Sequence, residues 1–256
     1  MSATTEQRAF KPAQRHSVKA RIAIYGPSKS GKTYTALAIA TGLGDRIAVI
    51  DAENGSASLY AGDFAFDTAG MYPPFHPGRY AQGIQMAVKE GYDVIIVDGI
   101  SPAWNGPGGV LEIVEKNTKG ANKFSGWAVG TPAHQELLDA ILSCRAHLIC
   151  TMRSATEYTV DEKGKPHKVG LKPVQRDGIE YEFHFLCELD VDHAMRVEAR
   201  GEFAGRIVEP SGVAGASATE FGRQIAAWLS AGEDGDDASA QPVSPDEAAR
   251  DLEMFS

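Results

Sequence analysis

Residues 26 to 33 read Gly-Pro-Ser-Lys-Ser-Gly-Lys-Thr, a G-x-x-x-x-G-K-[ST] octet set between the apolar run RIAIY and the helically spaced run TYTALAIATGL. Such an octet constrains a fold strongly, because a buried strand must deliver it and a helix must begin inside it. Gly26 and Gly31 let the backbone turn so that successive amides face one point. The helix opening near Lys32 adds the positive end of its dipole. The loop is suited to cradling phosphate, with Gly26, Pro27, Ser28, Lys29, Ser30, Gly31, Lys32 and Thr33 around a nucleotide. Lys32 would reach the β- and γ-phosphates and the Thr33 hydroxyl would ligate Mg2+.

The rest of the chain repeats this alternation. RIAVID (46 to 51), DVIIVD (93 to 98) and AHLICTM (146 to 152) read as buried strands. RYAQGIQMAVKEG (79 to 91) reads as a helix stopped by Gly91, and TPAHQELLDAILSCR (131 to 145) as a helix capped by Thr131 with Pro132 in its first turn. The pattern predicts an α/β domain with a mostly parallel sheet flanked by helices. Beyond residue 153 the period shortens: EYEFHFLCELDVD (180 to 192) alternates and MRVEAR (195 to 200) can pair back on it, an antiparallel extension of the sheet. A helix over 217 to 230 closes the domain, and no internal repeat is present. The domain is expected over 19 to 230, between a flexible basic arm (1 to 18) and a disordered acidic tail (231 to 256).

Charge is distributed unevenly. The chain carries a net charge of -9, yet residues 231 to 256 alone hold eight acids against Arg250, leaving about -2 on the other 230 residues. The tail, and not the body, sets the low pI, so the overall sign does not exclude a polyanionic partner. No apolar stretch approaches the roughly 18 residues of a membrane span, and the polar N-terminus does not read as a signal peptide. A soluble, cytoplasmic protein is expected. Cys144, Cys150 and Cys187 lack C-x-x-C or metal-ligand spacing and read as reduced core residues.

A metal-bound nucleotide needs a carboxylate at the tip of an apolar strand, and Asp98 ends DVIIVD in that way. Hydrolysis needs a group that orients and deprotonates water. Glu53 lies just past the second strand, at the edge where open α/β sheets bind ligands. Position alone leaves it either that base or a solvated loop residue. ATP is favoured over GTP because NKFS (122 to 125) ends in Ser125 where a guanine reader needs Asp. Lys29 also stands too late in the loop to imitate the extra lysine of partitioning ATPases.

GPSKSGKTYTALAIA, VIDAENGSASLY, DGISPAWNGPGGVLE, HLICTMRSATEY and KVGLKPVQRDGIEYEF occur in this order from about 20 to 230. Together they resemble the phage-encoded, RecA-like AAA-family ATPases, core-only recombinases linked to single-strand annealing. The resemblance implies a RecA-like P-loop NTPase fold, an ATPase that self-associates and acts on single-stranded DNA, and the cytoplasm of a bacterial host. It gives Glu53 the role of base, Asp98 that of metal support, and Arg153 that of a sensor of the γ-phosphate, the alternative for Arg153 being a surface arginine. Arg200, with Arg196, is the candidate cation offered to a neighbouring subunit. Ala155 stands where such proteins often carry lysine, and VEAR lacks their Lys-x-Arg pattern. Either Arg200 alone serves, or the chain turns ATP over slowly; a module that binds nucleotide without hydrolysing it stays open beside these. A small-molecule kinase is the remaining alternative.

Lys163, Lys165, Lys168, Lys172 and Arg176 fall in KGKPHKVGLKPVQR, which contains no acid. Its glycines and prolines predict an irregular cationic loop, suited to single-stranded DNA or simply solvated. Residues 105 to 130, with Trp104 just before them and Phe124 and Trp127 within, read as a second mobile loop whose aromatics either pack or stack on bases. The acidic tail, ending DLEMFS, is a solubilising segment or a docking segment for a replication or recombination protein. FKPA (Phe10 to Ala13) resembles the Phe-x-x-Ala hook between recombinase subunits.

Overall fold

The apolar runs become strands because each is flanked by a segment that can cover it. They are β1 (Arg21–Gly26), β2 (Ile47–Asp51), β3 (Asp67–Gly70), β4 (Val94–Asp98), β5 (His147–Val160), β6 (Pro166–Pro173), β7 (Phe185–Leu189) and β8 (Met195–Ala199). The helices are α1 (Lys32–Leu43), α2 (Pro77–Lys89), α3 (Pro102–Asn105), α4 (Val110–Asn117), α5 (Lys123–Leu142) and α6 (Ala216–Ser230). This computed structural model describes residues 18–120, 123–160, 166–199 and 216–230. Lys19–Leu229 form one compact unit, and almost all of the other unit, Met1–Val18 with Ser230–Ser256, lies outside the described residues.

The strand order is β3-β2-β4-β5-β1-β7-β8, with β6 paired to the outer part of β5. Neighbours from β3 through β7 run parallel and β8 is antiparallel to β7. Alternate strand residues feed two cores. Ile22, Ile24, Val49, Ile96 and Phe185 pack with α1 and α6, while Ala23, Ile50, Ile95, Val97 and Leu148 pack with α2 and α5. Both faces are covered, which is why these strands read as continuous apolar runs. Glycines set the approach of α1 and α6: a Cβ on Gly42 would overlap Thr219 O, and one on Gly222 would overlap Ile39 O.

Several expectations need correction. Within 105 to 130, where a mobile loop was expected, Asn105 ends α3, Val110–Asn117 form α4 and residues 123 to 130 open α5. Their glycines serve contact: a Cβ on Gly126 would overlap Val114 O, and one on Gly130 would overlap Val114 Cγ2. α5 therefore begins near residue 123 and runs through Pro132, although proline removes one helical hydrogen bond. Packing on α4 holds this part of the helix where a Thr131 cap was expected. α2 starts at Pro77, two residues early, because His76 Nδ1 accepts the Gly78 amide at 3.1 Å.

Residues 166 to 173 of the basic segment are likewise a strand where composition predicts a loop. β6 pairs antiparallel with β5 from Ser154↔Pro173 to Val160↔Pro166. Pro166 and Pro173 sit at its first and last positions, where a missing amide is tolerated. Gly170 lies beside the register shift between Glu157 and Tyr158. Residues 180 to 184 are also shorter of strand than their alternation implied, since Ile179–Glu182 form a 3-10 turn. Cys150 and Cys187 are buried and Cys144 partly so, all three as free thiols. Among the described residues no helix is long and apolar enough to cross a membrane.

Candidate functional site

The parallel register brings four strand ends to one level. Asp51 pairs with Asp98, Val97 with Cys150, and Gly26 with Arg153. Lys32, Thr33, Glu53, Asp98 and Arg153, spread over 122 positions of sequence, thereby border one cavity of about 420 Å³ with the loop residues Gly26, Ser28, Lys29 and Gly31.

Gly31 takes left-handed backbone, φ 86°, and α1 begins at the next residue. Gly26 is compact for a different reason: a Cβ there would lie 2.5 Å from Leu189 O and 2.6 Å from Ser30 Oγ. Ser30 itself is buried, while Ser28 and Lys29 are exposed. Lys32 folds back over the loop, its Nζ donating to Gly26 O at 3.1 Å and to Pro27 O at 2.7 Å. Burial lowers its pKa, opposed by the nearby Glu53 and Asp98 carboxylates.

Asp98 is 1% exposed. Thr33 Oγ1 donates to its Oδ2 at 2.8 Å and Thr151 Oγ1 to its Oδ1 at 2.7 Å, with Ser56 Oγ 3.5 Å away. Burial raises the Asp98 pKa against these hydrogen bonds, and Asp51 and Glu53 push it the same way. Thr151 also accepts the Gly99 amide at 2.8 Å, fixing the end of β4. Among the described residues no group of three His, Cys, Asp or Glu side chains converges on a metal position. One hydroxyl and one buried carboxylate at hydrogen-bond distance instead suit Mg2+, which keeps several waters and takes phosphate oxygens for the rest.

Glu53 is presented by a turn that Asp51 ties down, Oδ1 accepting Glu53 N at 2.8 Å and Oδ2 accepting Ala57 N at 3.0 Å. Its carboxylate is gripped by Arg153, with Nη2 3.1 Å from Oε1 and 3.2 Å from Oε2. The Arg153 backbone is held in turn, its amide donating to Ser101 Oγ at 3.0 Å and its carbonyl accepting Val174 N at 2.7 Å. The stem of the β5–β6 hairpin is thus bonded directly to the residue that holds Glu53.

Other candidates lie elsewhere. Arg196 is exposed on β8 and pairs with Glu198 at 3.3 Å, outside the cavity, and Arg200 lies outside the described residues. Lys163 and Lys165 also fall outside them, and Lys168 is placed only as a β6 residue. Lys172 is 3.7 Å from Asp177, and the Arg176 guanidinium lies 5.7 Å from the centre of the Trp127 ring. Trp127 in turn stands 6.0 Å from Trp104, so these aromatics pack, while Phe124 is 85% exposed. FKPA and the acidic tail lie outside the described residues.

Thr151, Ser56 and Tyr60 belong to the cavity without having been singled out from sequence. Thr151 carried a signal: two places before Arg153 on one strand, it shares that residue's face. Ser56 and Tyr60 had none, since a 3-10 turn (Ala57–Tyr60) brings them in.

Residues 18–215 match the family model described as AAA domain. No curated protein matches the chain.

Proposed function

Because this chain belongs to the AAA domain family, a family of nucleotide-binding P-loop proteins, we propose that it is a Mg2+-dependent ATPase acting on single-stranded DNA. The process served is recombination, annealing or repair in a phage-type system. The observation that carries the ATPase reading is the 2.8 Å hydrogen bond between Thr33 Oγ1 and Asp98 Oδ2, at the mouth of the phosphate loop. The two groups that would share Mg2+ already point at one place. The ion would neutralise charge on the β- and γ-phosphates.

Gly26 to Thr33 hold the phosphates and Lys32 leaves its loop carbonyls for a phosphate oxygen. Glu53 takes a proton from water as the water oxygen bonds to the γ-phosphorus. The bridging P–O bond breaks and its electron pair passes to the β-phosphate oxygen. Arg153 starts on Glu53, so hydrolysis requires that the guanidinium yield part of that carboxylate to the terminal phosphate. This transfer supports slow turnover and gives the switch reading, in which nucleotide binds without being hydrolysed, its one specific support.

The DNA reading is supported by the hairpin whose β6 strand carries Lys168 and Lys172 and whose stem bonds to Arg153. A change at the γ-phosphate could move a cationic arm in one step. Self-association, and a tail that docks on a replication or recombination protein, belong to the same reading. Steady-state ATP hydrolysis with and without single-stranded DNA tests it, on wild type, Glu53→Gln and Lys32→Ala. DNA-stimulated turnover lost in both variants is expected. Turnover indifferent to DNA would overturn the recombination role, and DNA binding without turnover would favour the switch.

A further inference from the structure

Among the described residues, Lys29 (φ 66°), Asn54 (φ 59°) and His193 (φ 63°) are the non-glycine residues on left-handed backbone. Lys29 is in the phosphate loop, Asn54 follows Glu53, and His193 Nδ1 lies 3.3 Å from the place a Cβ on Gly31 would take. Asn and His enter this region several-fold more readily than most residues, whereas lysine has no such preference. Glycine would adopt it without strain. The loop therefore keeps a long cationic side chain at a position whose backbone disfavours any side chain, and strain held beside a site points to use of the side chain.

Lys29 is exposed and lines the same cavity as Lys32, Glu53, Asp98 and Arg153. The other two cations are engaged, Lys32 with loop carbonyls and Arg153 with Glu53. Lys29 has no such partner among the described residues. A flexible ammonium at the loop apex can reach an outer phosphate oxygen without breaking an existing contact.

We propose that Lys29 is a second phosphate-binding cation, which meets an oxygen of the terminal phosphate within the same subunit. The inference rests on the nucleotide reading above. As the γ-phosphorus gains the water oxygen and releases the β-phosphate oxygen with its electron pair, the ammonium balances charge that Lys32 and Mg2+ alone leave on the outer oxygens.

Calorimetric titration with Mg-ATP and Mg-ADP, together with thermal melting, tests this on wild type, Lys29→Gly, Lys29→Arg and Lys32→Ala. Lys29→Gly should melt no lower than wild type, since glycine relieves the backbone. It should bind Mg-ATP about tenfold or more weakly, with Mg-ADP little changed, the effect of losing one charge-assisted contact to the terminal phosphate. Lys29→Arg should restore most of the ATP affinity. If Lys29→Gly binds both nucleotides as wild type does while Lys32→Ala does not, the inference fails and the nucleotide site stands. If wild type binds neither nucleotide, both fail.

Discussion

Arg153 and Glu53, one hundred residues apart in sequence, form a two-pronged ion pair across the mouth of the cavity, Nη2 reaching Oε1 at 3.1 Å and Oε2 at 3.2 Å. Their side chains remain 55% and 32% exposed, so the pair contributes only about 0 to 1 kcal/mol to stability. Its value lies in holding the carboxylate. Arg153→Ala should therefore lower the melting temperature by no more than about 3 °C. Steady-state turnover should fall about tenfold or more as Glu53 loses its orientation. A large drop in melting temperature with turnover intact would assign the pair to the fold.

Asp98 sets stability against its proposed metal role. Burial raises its pKa in the folded protein, so the fold holds its proton more tightly than the unfolded chain does. Its contribution is full below the ordinary carboxylate range and is lost as pH rises through the raised value. Above that raised value and without Mg2+, the ionised group is a net cost to the fold. Asp98→Asn should raise the urea midpoint under those conditions, and should lower Mg-ATP turnover at least about a hundredfold. An unchanged or lower midpoint would contradict the buried-charge account.

The start of β1 is pinned by imidazoles from its neighbours, His147 Nδ1 accepting Ala20 N at 3.0 Å and His184 Nδ1 accepting Arg21 N at 3.1 Å. Burial pulls the His147 pKa from 6.5 to about 4, helped by Lys19 and opposed by Asp93. Between those values the unfolded chain binds the proton and the fold does not, so stability falls as pH drops from about 6.5 towards 4. The loss from this residue is on the order of 3 kcal/mol. Urea unfolding across that range should show the slope in wild type and a shallower one in His147→Asn, whose amide oxygen can still accept from Ala20.

Gly126 permits α5 to lie against α4, and a Cβ there would overlap Val114 O and stand 2.5 Å from Thr118 Oγ1. Gly126→Ala should destabilise the protein by about 1 to 3 kcal/mol. It should also shift tryptophan emission, because Trp127 next to it stands 6.0 Å from Trp104. Unchanged emission with full stability would return this stretch to the loop that its composition resembles.

Much of the site was legible because its parts are local. The octet at 26 to 33, the Asp closing DVIIVD and the Glu after VID each sit at the end of an apolar run, and a parallel sheet places such ends on one edge whatever the strand order. Composition misled where glycine and proline were concerned. Gly126 and Gly130 look like loop residues but serve a helix crossing, and Pro166 and Pro173 look like breakers but stand at the ends of β6. The identity of a residue does not reveal whether its missing side chain or amide is used for freedom or for contact.

By itself the sequence determined the phosphate loop, the alternation of strands and helices, and the edge at which carboxylates gather, because all follow from local spacing and burial. Only the tertiary structure decided that Arg153 holds Glu53, that Thr151 joins Thr33 on Asp98, and that Lys29 stands on strained backbone over the same cavity. Those relations depend on which strands lie side by side and in what register, and on the angle at which the loop leaves β1. Long-range packing fixes these quantities, and no local pattern encodes them.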